Sequence, residues 1–195
     1  MIERRKSSMR LVDMVESQII ASVQNEEDLQ RSLTSNANIV FLLTGNLMTI
    51  ADYIKQLKEA GKYVFIHLDF IDGISNSKNA LSYVAEFWKP TGIITTKSHI
   101  VKMSNEVGLM TIQRIFLLDR SAIQKGIEMV KSCRPDAVEI MPGIMPKIID
   151  ELSSELNYPI IAGGLITQIS EVHDALQAGA LAVSSGDPEM WNFDL

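Results

Sequence analysis

Residues 159–185 read "PIIAGGLITQISEVHDALQAGALAVSS". Pro159 to Ala162 has the length and apolar character of a buried strand, and Gly163 and Gly164 remove every side chain where that strand stops. Apolar residues then recur at helical spacing through "QISEVHDALQAGA", with Gly179 as the helix stop. "ALAVSS" restores a strand. The segment is therefore a strand–helix–strand unit, and its two strands must run parallel.

The same alternation extends through the chain. Strands are expected near "SQIIASV" (17–23), "NIVFLLT" (38–44), "YVFIHL" (63–68) and "GIITT" (92–96). Four more are expected near "MTIQRIF" (110–116), "DAVEI" (136–140), "PIIAG" (159–163) and "ALAVSS" (180–185). Helical spacing marks "TIADYIKQLKEAGK" and "SAIQKGIEMVKSC" between them. Eight consecutive units point to a closed (β/α)8 TIM-type barrel, α/β in class. At 195 residues it is compact beside the usual ~250, with short loops and a stunted last helix around "PEMW". An open doubly wound sheet is the rival, and eight consecutive units suit it less well.

The expected organisation is a basic N-terminal segment, residues 1–16, and a single barrel domain, residues 17–195. Hydrophobic residues at 46% and charged residues at 22% fit a globular chain rather than a disordered one. "MIERRKSSMR" lacks the apolar core of a signal peptide, and no run nears the ~20 apolar residues of a membrane span. Cys133 is the only cysteine, so no internal disulfide can form. A reducing, cytoplasmic setting without a membrane partner is the expectation. A net charge of −6 disfavours indiscriminate binding to polyanions. Arg4, Arg5, Lys6 and Arg10 nevertheless cluster, either as a solvated terminus or as a nucleic-acid arm.

In such a barrel, ligands bind where the C-terminal strand ends meet the following loops, and phosphate often sits after strands 7 and 8. "AGG" and "SSGDPEMW" occupy those two places. Backbone N–H groups around Gly163 and Gly164, with the Ser184 and Ser185 hydroxyls, can donate to phosphate oxygens. The alternative is that Gly-Gly only makes a tight turn. Asp187-Pro188 reads as a cap followed by a favoured first helical residue.

In "HLDFIDGI", Val64, Ile66 and Leu68 share the face that suits helix packing, while Phe65, His67 and Asp69 share the barrel axis. Asp69 at the mouth can accept from a polyol, or can cap a turn. His67 reads as a hydrogen-bonded core histidine. Glu139 of "DAVEIMPG" also falls inward, and a charge there needs a partner. Lys97, next to Thr96 beyond "GIIT", and Arg114 in "IQRIF" are the candidates. The parity of both strands is open, and a purely structural ion network is an alternative to a ligand site. No phosphate-binding P-loop, nucleophile elbow or metal-ligand cluster is present, so no catalytic residue, metal or cofactor is expected.

Taken in order, "HLDFIDGI", "GIITTK", "IQRIFLLD", "PDAVEIMPGIMPKII" and "PIIAGGLI" resemble the glycerol-3-phosphate-responsive antiterminators, also called glycerol uptake operon antiterminator regulatory proteins. The resemblance runs from about Ser17 to Trp191, and it rests on the ordered set rather than on any one motif. It implies a (β/α)8 regulator rather than an enzyme, with glycerol 3-phosphate as effector. It also implies binding of leader mRNA and read-through of a terminator upstream of glycerol-utilisation genes. The chain has "SSGD" where the family commonly has Thr/Ser-Asn after strand 8. The ligand-site residues come from the strand-end reading: Asp69, Thr96, Lys97, Arg114, Glu139, Gly163, Gly164, Ser184 and Ser185. RNA binding has no signature of its own in the sequence. With aromatics at 6%, few stacking platforms exist, so RNA contacts are expected to be local, helped by the basic start or by a homodimer joining two patches. Two competing functions carry weight. One is a metabolic enzyme acting on a small sugar or triose phosphate, with Asp69, Lys97 and Glu139 as acid–base groups. The other is a phosphometabolite-binding protein acting through a protein partner.

Overall fold

The eight apolar runs form eight parallel strands in the computed structural model, which describes residues 10–193. In chain order they are β1 (Ile19–Val23), β2 (Ile39–Leu42), β3 (Tyr63–His67), β4 (Gly92–Thr95), β5 (Met110–Phe116), β6 (Ala137–Met141), β7 (Ile160–Gly163) and β8 (Ala182–Ser185). Sequence neighbours pair throughout, and β8 returns to pair with β1, so the sheet closes and leaves no open edge.

A short helix, α1 (Leu11–Met14), precedes the first strand. The crossovers hold α2 (Glu26–Thr34), α3 (Ile50–Glu59), α4 (Lys78–Tyr83), α5 (Ser98–Glu106), α6 (Arg120–Cys133), α7 (Pro146–Glu155) and α8 (Ile169–Gln177). Pro146 opens α7, and Gly179 follows α8 at φ 100°, as a glycine stop requires. After β8 the chain makes only a 3₁₀ turn, Pro188–Asn192, in place of a full helix. Asp187 caps it by accepting the Glu189 N–H at 3.0 Å. Among the described residues, no helix is long and apolar enough to cross a membrane.

Strand alternation sorts the core into two layers. Val64, Ile66 and Leu68, with Val138 and Ile140, pack outward among the helices. Ile20, Phe41, Phe65, Ile94, Ile112 and Ile161 fill the barrel interior. This settles the parity of β3 and β6, because Phe65 and Ala137 are inward and their strand neighbours Val64, Ile66 and Val138 are outward. Leu11 and Met14 of α1 join the same inner cluster. Two side chains of the basic N-terminal segment thus take part in the barrel's packing. Arg10 pairs with Asp13 at the surface, and Arg4, Arg5 and Lys6 lie outside the described residues.

The inner layer is fitted large against small. The Phe41 and Phe65 rings meet edge to face, with centroids 6.0 Å apart. Phe65 stands in register with Gly92 on β4. A Cβ at Gly92 would lie 2.7 Å from the Phe65 ring and would overlap the Met110 carbonyl. Gly92→Ala should therefore destabilise the fold by about 1–3 kcal/mol through overpacking. The measurement is the urea midpoint, and an unchanged midpoint would contradict this packing.

Candidate functional site

Toward the C-terminal ends of the strands, the apolar interior gives way to polar side chains. Glu139 on β6 has no solvent exposure. Arg114, its register partner on β5, donates from Nε to Glu139 Oε2 at 2.5 Å. Ser184 on β8 donates its hydroxyl to Oε1 at 2.7 Å. Both carboxylate oxygens are thereby answered, which a charge at this depth requires.

The first glycine of "AGG" is explained by this carboxylate. Gly163 is in register with Ser184, and a Cβ on it would sit 2.5 Å from Ser184 Oγ and 2.7 Å from Glu139 Oε1. The close approach that excludes a side chain at Gly163 is that of the protein's own hydrogen bond. Gly164 has a different reason: its φ is +75°, in the left-handed region. Its carbonyl accepts from the Gly143 N–H at 3.2 Å, tying the turn after β6 to the turn after β7.

A second polar group lies across the mouth. Asp69, in the 3₁₀ turn Leu68–Phe70, directs its carboxylate onto the end of β4. Its Oδ2 accepts from Thr95 Oγ1 at 3.0 Å, from the Thr96 N–H at 3.0 Å and from Thr96 Oγ1 at 3.3 Å. The Lys97 ammonium stands 2.8 Å from Oδ1. Burial acts to raise the Asp69 pKa, but Lys97, the Thr96 N–H and the Thr95 hydroxyl together hold it below its ordinary value. The two cations considered for Glu139 are thus divided. Arg114 serves Glu139, and Lys97 serves Asp69.

His67 lies between these pairs, with 1% of its surface exposed and its ring edge-on to Phe70 at 4.5 Å. Its Nδ1 is 3.8 Å from Asp69 Oδ2, beyond hydrogen-bond reach. Neither ring nitrogen has a hydrogen-bond partner among the described residues. The expected satisfied core histidine is therefore not what the structure contains. Burial first, then the Arg114 charge, depress its pKa to about 3 against the opposing pull of Asp69, so the ring is neutral near pH 7.

The structure gathers Asp69, Thr96, Lys97, Arg114, Glu139, Gly163 and Ser184 around the mouth, with Gly164 in the adjoining turn. Ser185 falls on the opposite face of β8 from Ser184. Its hydroxyl accepts the Asp187 N–H at 3.1 Å and its carbonyl accepts from Trp191 Nε1 at 2.8 Å, so it shapes the last turn. His67 and Thr95 were missing from the sequence-derived set. His67 shares an inward face with Asp69, a visible signal whose meaning depends on partners that the sequence does not show.

The titration of His67 has a measurable consequence. Its pKa in the folded chain, about 3, lies below the ordinary 6.5, so unfolding takes up a proton between those values. The stability it contributes is fully present above pH 6.5 and is lost as pH falls toward 3. Urea midpoints measured from pH 7 to pH 4 should fall steadily, and His67→Leu should flatten that decline. An unchanged slope in the variant would contradict the assignment.

A family model described as "Glycerol-3-phosphate responsive antiterminator" matches residues 19–191. The uncharacterized protein YgcP of Escherichia coli is 33% identical over 173 residues, which cover 89% of this chain and 91% of that protein. A crystal structure of a glycerol uptake operon antiterminator regulatory protein from Listeria monocytogenes superposes with a TM-score of 0.88 at 28% identity, covering 94% of this chain and 98% of the other. A glycerol uptake operon antiterminator-related protein from Thermotoga maritima gives 0.79 at 28% identity, covering 89% and 96%. Orotidine 5'-phosphate decarboxylase from Pyrococcus horikoshii gives 0.65 at 19% identity, covering 86% and 88%, a likeness of fold alone. The ordered motifs, the closed barrel and the match across all eight strands agree, and the chain belongs to the glycerol-3-phosphate responsive antiterminator family.

Proposed function

We propose that this protein is a glycerol-3-phosphate-responsive transcription antiterminator of the cytoplasm. In this reading it senses glycerol 3-phosphate at the barrel mouth, binds leader mRNA and promotes read-through of a terminator upstream of glycerol-utilisation genes. The observation that carries the reading is the family match over residues 19–191, which spans every residue of the polar mouth. The chemistry of the mouth is compatible with such an effector. Lys97 and Arg114 already balance Asp69 and Glu139. The grip on a phosphate dianion then falls mainly on backbone N–H groups of the turns after β7 and β8, where Gly164 presents no side chain. The carboxylate of Asp69 and the ammonium of Lys97 are suited to polyol hydroxyls. No cofactor or catalytic step is required. RNA contacts would be local on this acidic protein, and a homodimer would double the surface that makes them.

The test is calorimetry together with an RNA gel shift, with and without glycerol 3-phosphate, and recovery of the ligand afterwards. Glycerol 3-phosphate should bind far more tightly than glycerol, because a charged group is gripped. It should strengthen the leader-RNA shift, RNA should tighten ligand binding by the same factor, and the ligand should be recovered unchanged. Consumption of the ligand would favour an enzyme acting on a small sugar or triose phosphate. Ligand binding with no effect on RNA would favour a phosphometabolite-binding protein with a protein partner.

A further inference from the structure

We propose that His67 is the residue by which the mouth distinguishes an alcohol from a carbonyl on a phosphorylated three-carbon ligand. The inference rests on the function proposed above and specifies how the site selects the oxidation state of its effector. Three observations carry it. His67 is nearly fully buried and shares the inward face of β3 with Phe65, so its ring belongs to the barrel interior. Both ring nitrogens lack hydrogen-bond partners among the described residues, although Asp69, Lys97 and Arg114 stand around it. A buried imidazole left in that state is unfavourable for the fold. Its position beside two ion pairs is where a ligand hydroxyl would complete it.

The direction of selection follows from the tautomer. Asp69 Oδ2, 3.8 Å from Nδ1, favours the form protonated at Nδ1, because that N–H then points its positive end at the carboxylate. Nε2 is left as an acceptor. An alcohol can donate to it, whereas a carbonyl oxygen has no proton to give and would set lone pair against lone pair. The ring is neutral near pH 7, so it offers this acceptor rather than a second cation. The preference depends on the secondary hydroxyl at the central carbon, the position that is a ketone in dihydroxyacetone phosphate, whereas phosphate affinity belongs to the turns after β7 and β8.

The experiment compares glycerol 3-phosphate, dihydroxyacetone phosphate and inorganic phosphate by calorimetry on the wild type, His67→Leu and His67→Phe, with urea midpoints at pH 7. The wild type should prefer glycerol 3-phosphate to dihydroxyacetone phosphate by about tenfold or more, the worth of one hydrogen bond made or left unmade at a buried site. In both variants that ratio should collapse toward one, while affinity for inorganic phosphate is kept. The His67→Leu midpoint should not fall, since the substitution deletes two unpartnered polar atoms. If one variant fails to fold, the other supplies the ratio. A wild-type ratio near one, or a ratio unchanged in the variants, overturns the inference while leaving the effector reading intact. A wild type that binds neither phosphorylated compound overturns both.

Discussion

The buried carboxylate of Glu139 dictates what its neighbours are allowed to be. With no exposure to solvent, it must find a charge and hydrogen-bond donors inside the barrel. β5 supplies the charge through Arg114, and β8 supplies a hydroxyl through Ser184. β7, between β6 and β8, supplies neither, and is restricted to glycine at position 163 because any Cβ would strike both bonded groups. One charge thus fixes residue choice on four consecutive strands. Two of these strands, β7 and β8, end at the turns proposed above for the phosphate grip.

The mouth and the floor of the barrel obey opposite rules. The floor is an apolar jigsaw in which Phe65 requires glycine beside it and Leu11 and Met14 join the packing. That layer supplies stability without specific chemistry. Above it, the Asp69 and Glu139 groups are held by strand-end donors and by one cation each, at a desolvation cost that apolar residues would avoid. The proposed ligand site gives that cost a reason, because there the polar groups would meet a ligand. His67 is the extreme case, because neither nitrogen of its buried ring has a hydrogen-bond partner among the described residues.

Much of this was legible in the sequence, and the limits have physical causes. Strands and helices show as changes of hydrophobic period, and all eight strands lie where their apolar runs predict, with ends differing by up to two residues. Alternation along a strand offered Glu139 and Asp69 as inward-facing, but parity stayed open until packing placed Phe65 and Ala137 inside the barrel. Which cation each carboxylate would take was not decidable, because Arg114 and Lys97 are both near strand ends and only lateral register assigns them. The reason for Gly163 was hidden for the same cause, since it depends on side chains from the strands on either side. Ser185 looked equivalent to Ser184 until strand parity sent it into the last turn. Leu11 and Met14 lie in a segment whose charge drew attention to its surface rather than its packing. Family membership needed only the ordered motifs, which survive without knowledge of any contact.

The proposed ligand site implies that the Arg114–Glu139 pair is kept for binding rather than for the fold. A double-mutant cycle with Arg114→Met and Glu139→Leu, combined with glycerol 3-phosphate calorimetry, tests it most directly. Each single variant leaves a buried charge unpaired and should lose about 3–5 kcal/mol of stability. The double variant should recover most of that loss and still fail to bind glycerol 3-phosphate. Losses that simply add, or a double variant that binds the ligand as the wild type does, would contradict the claim.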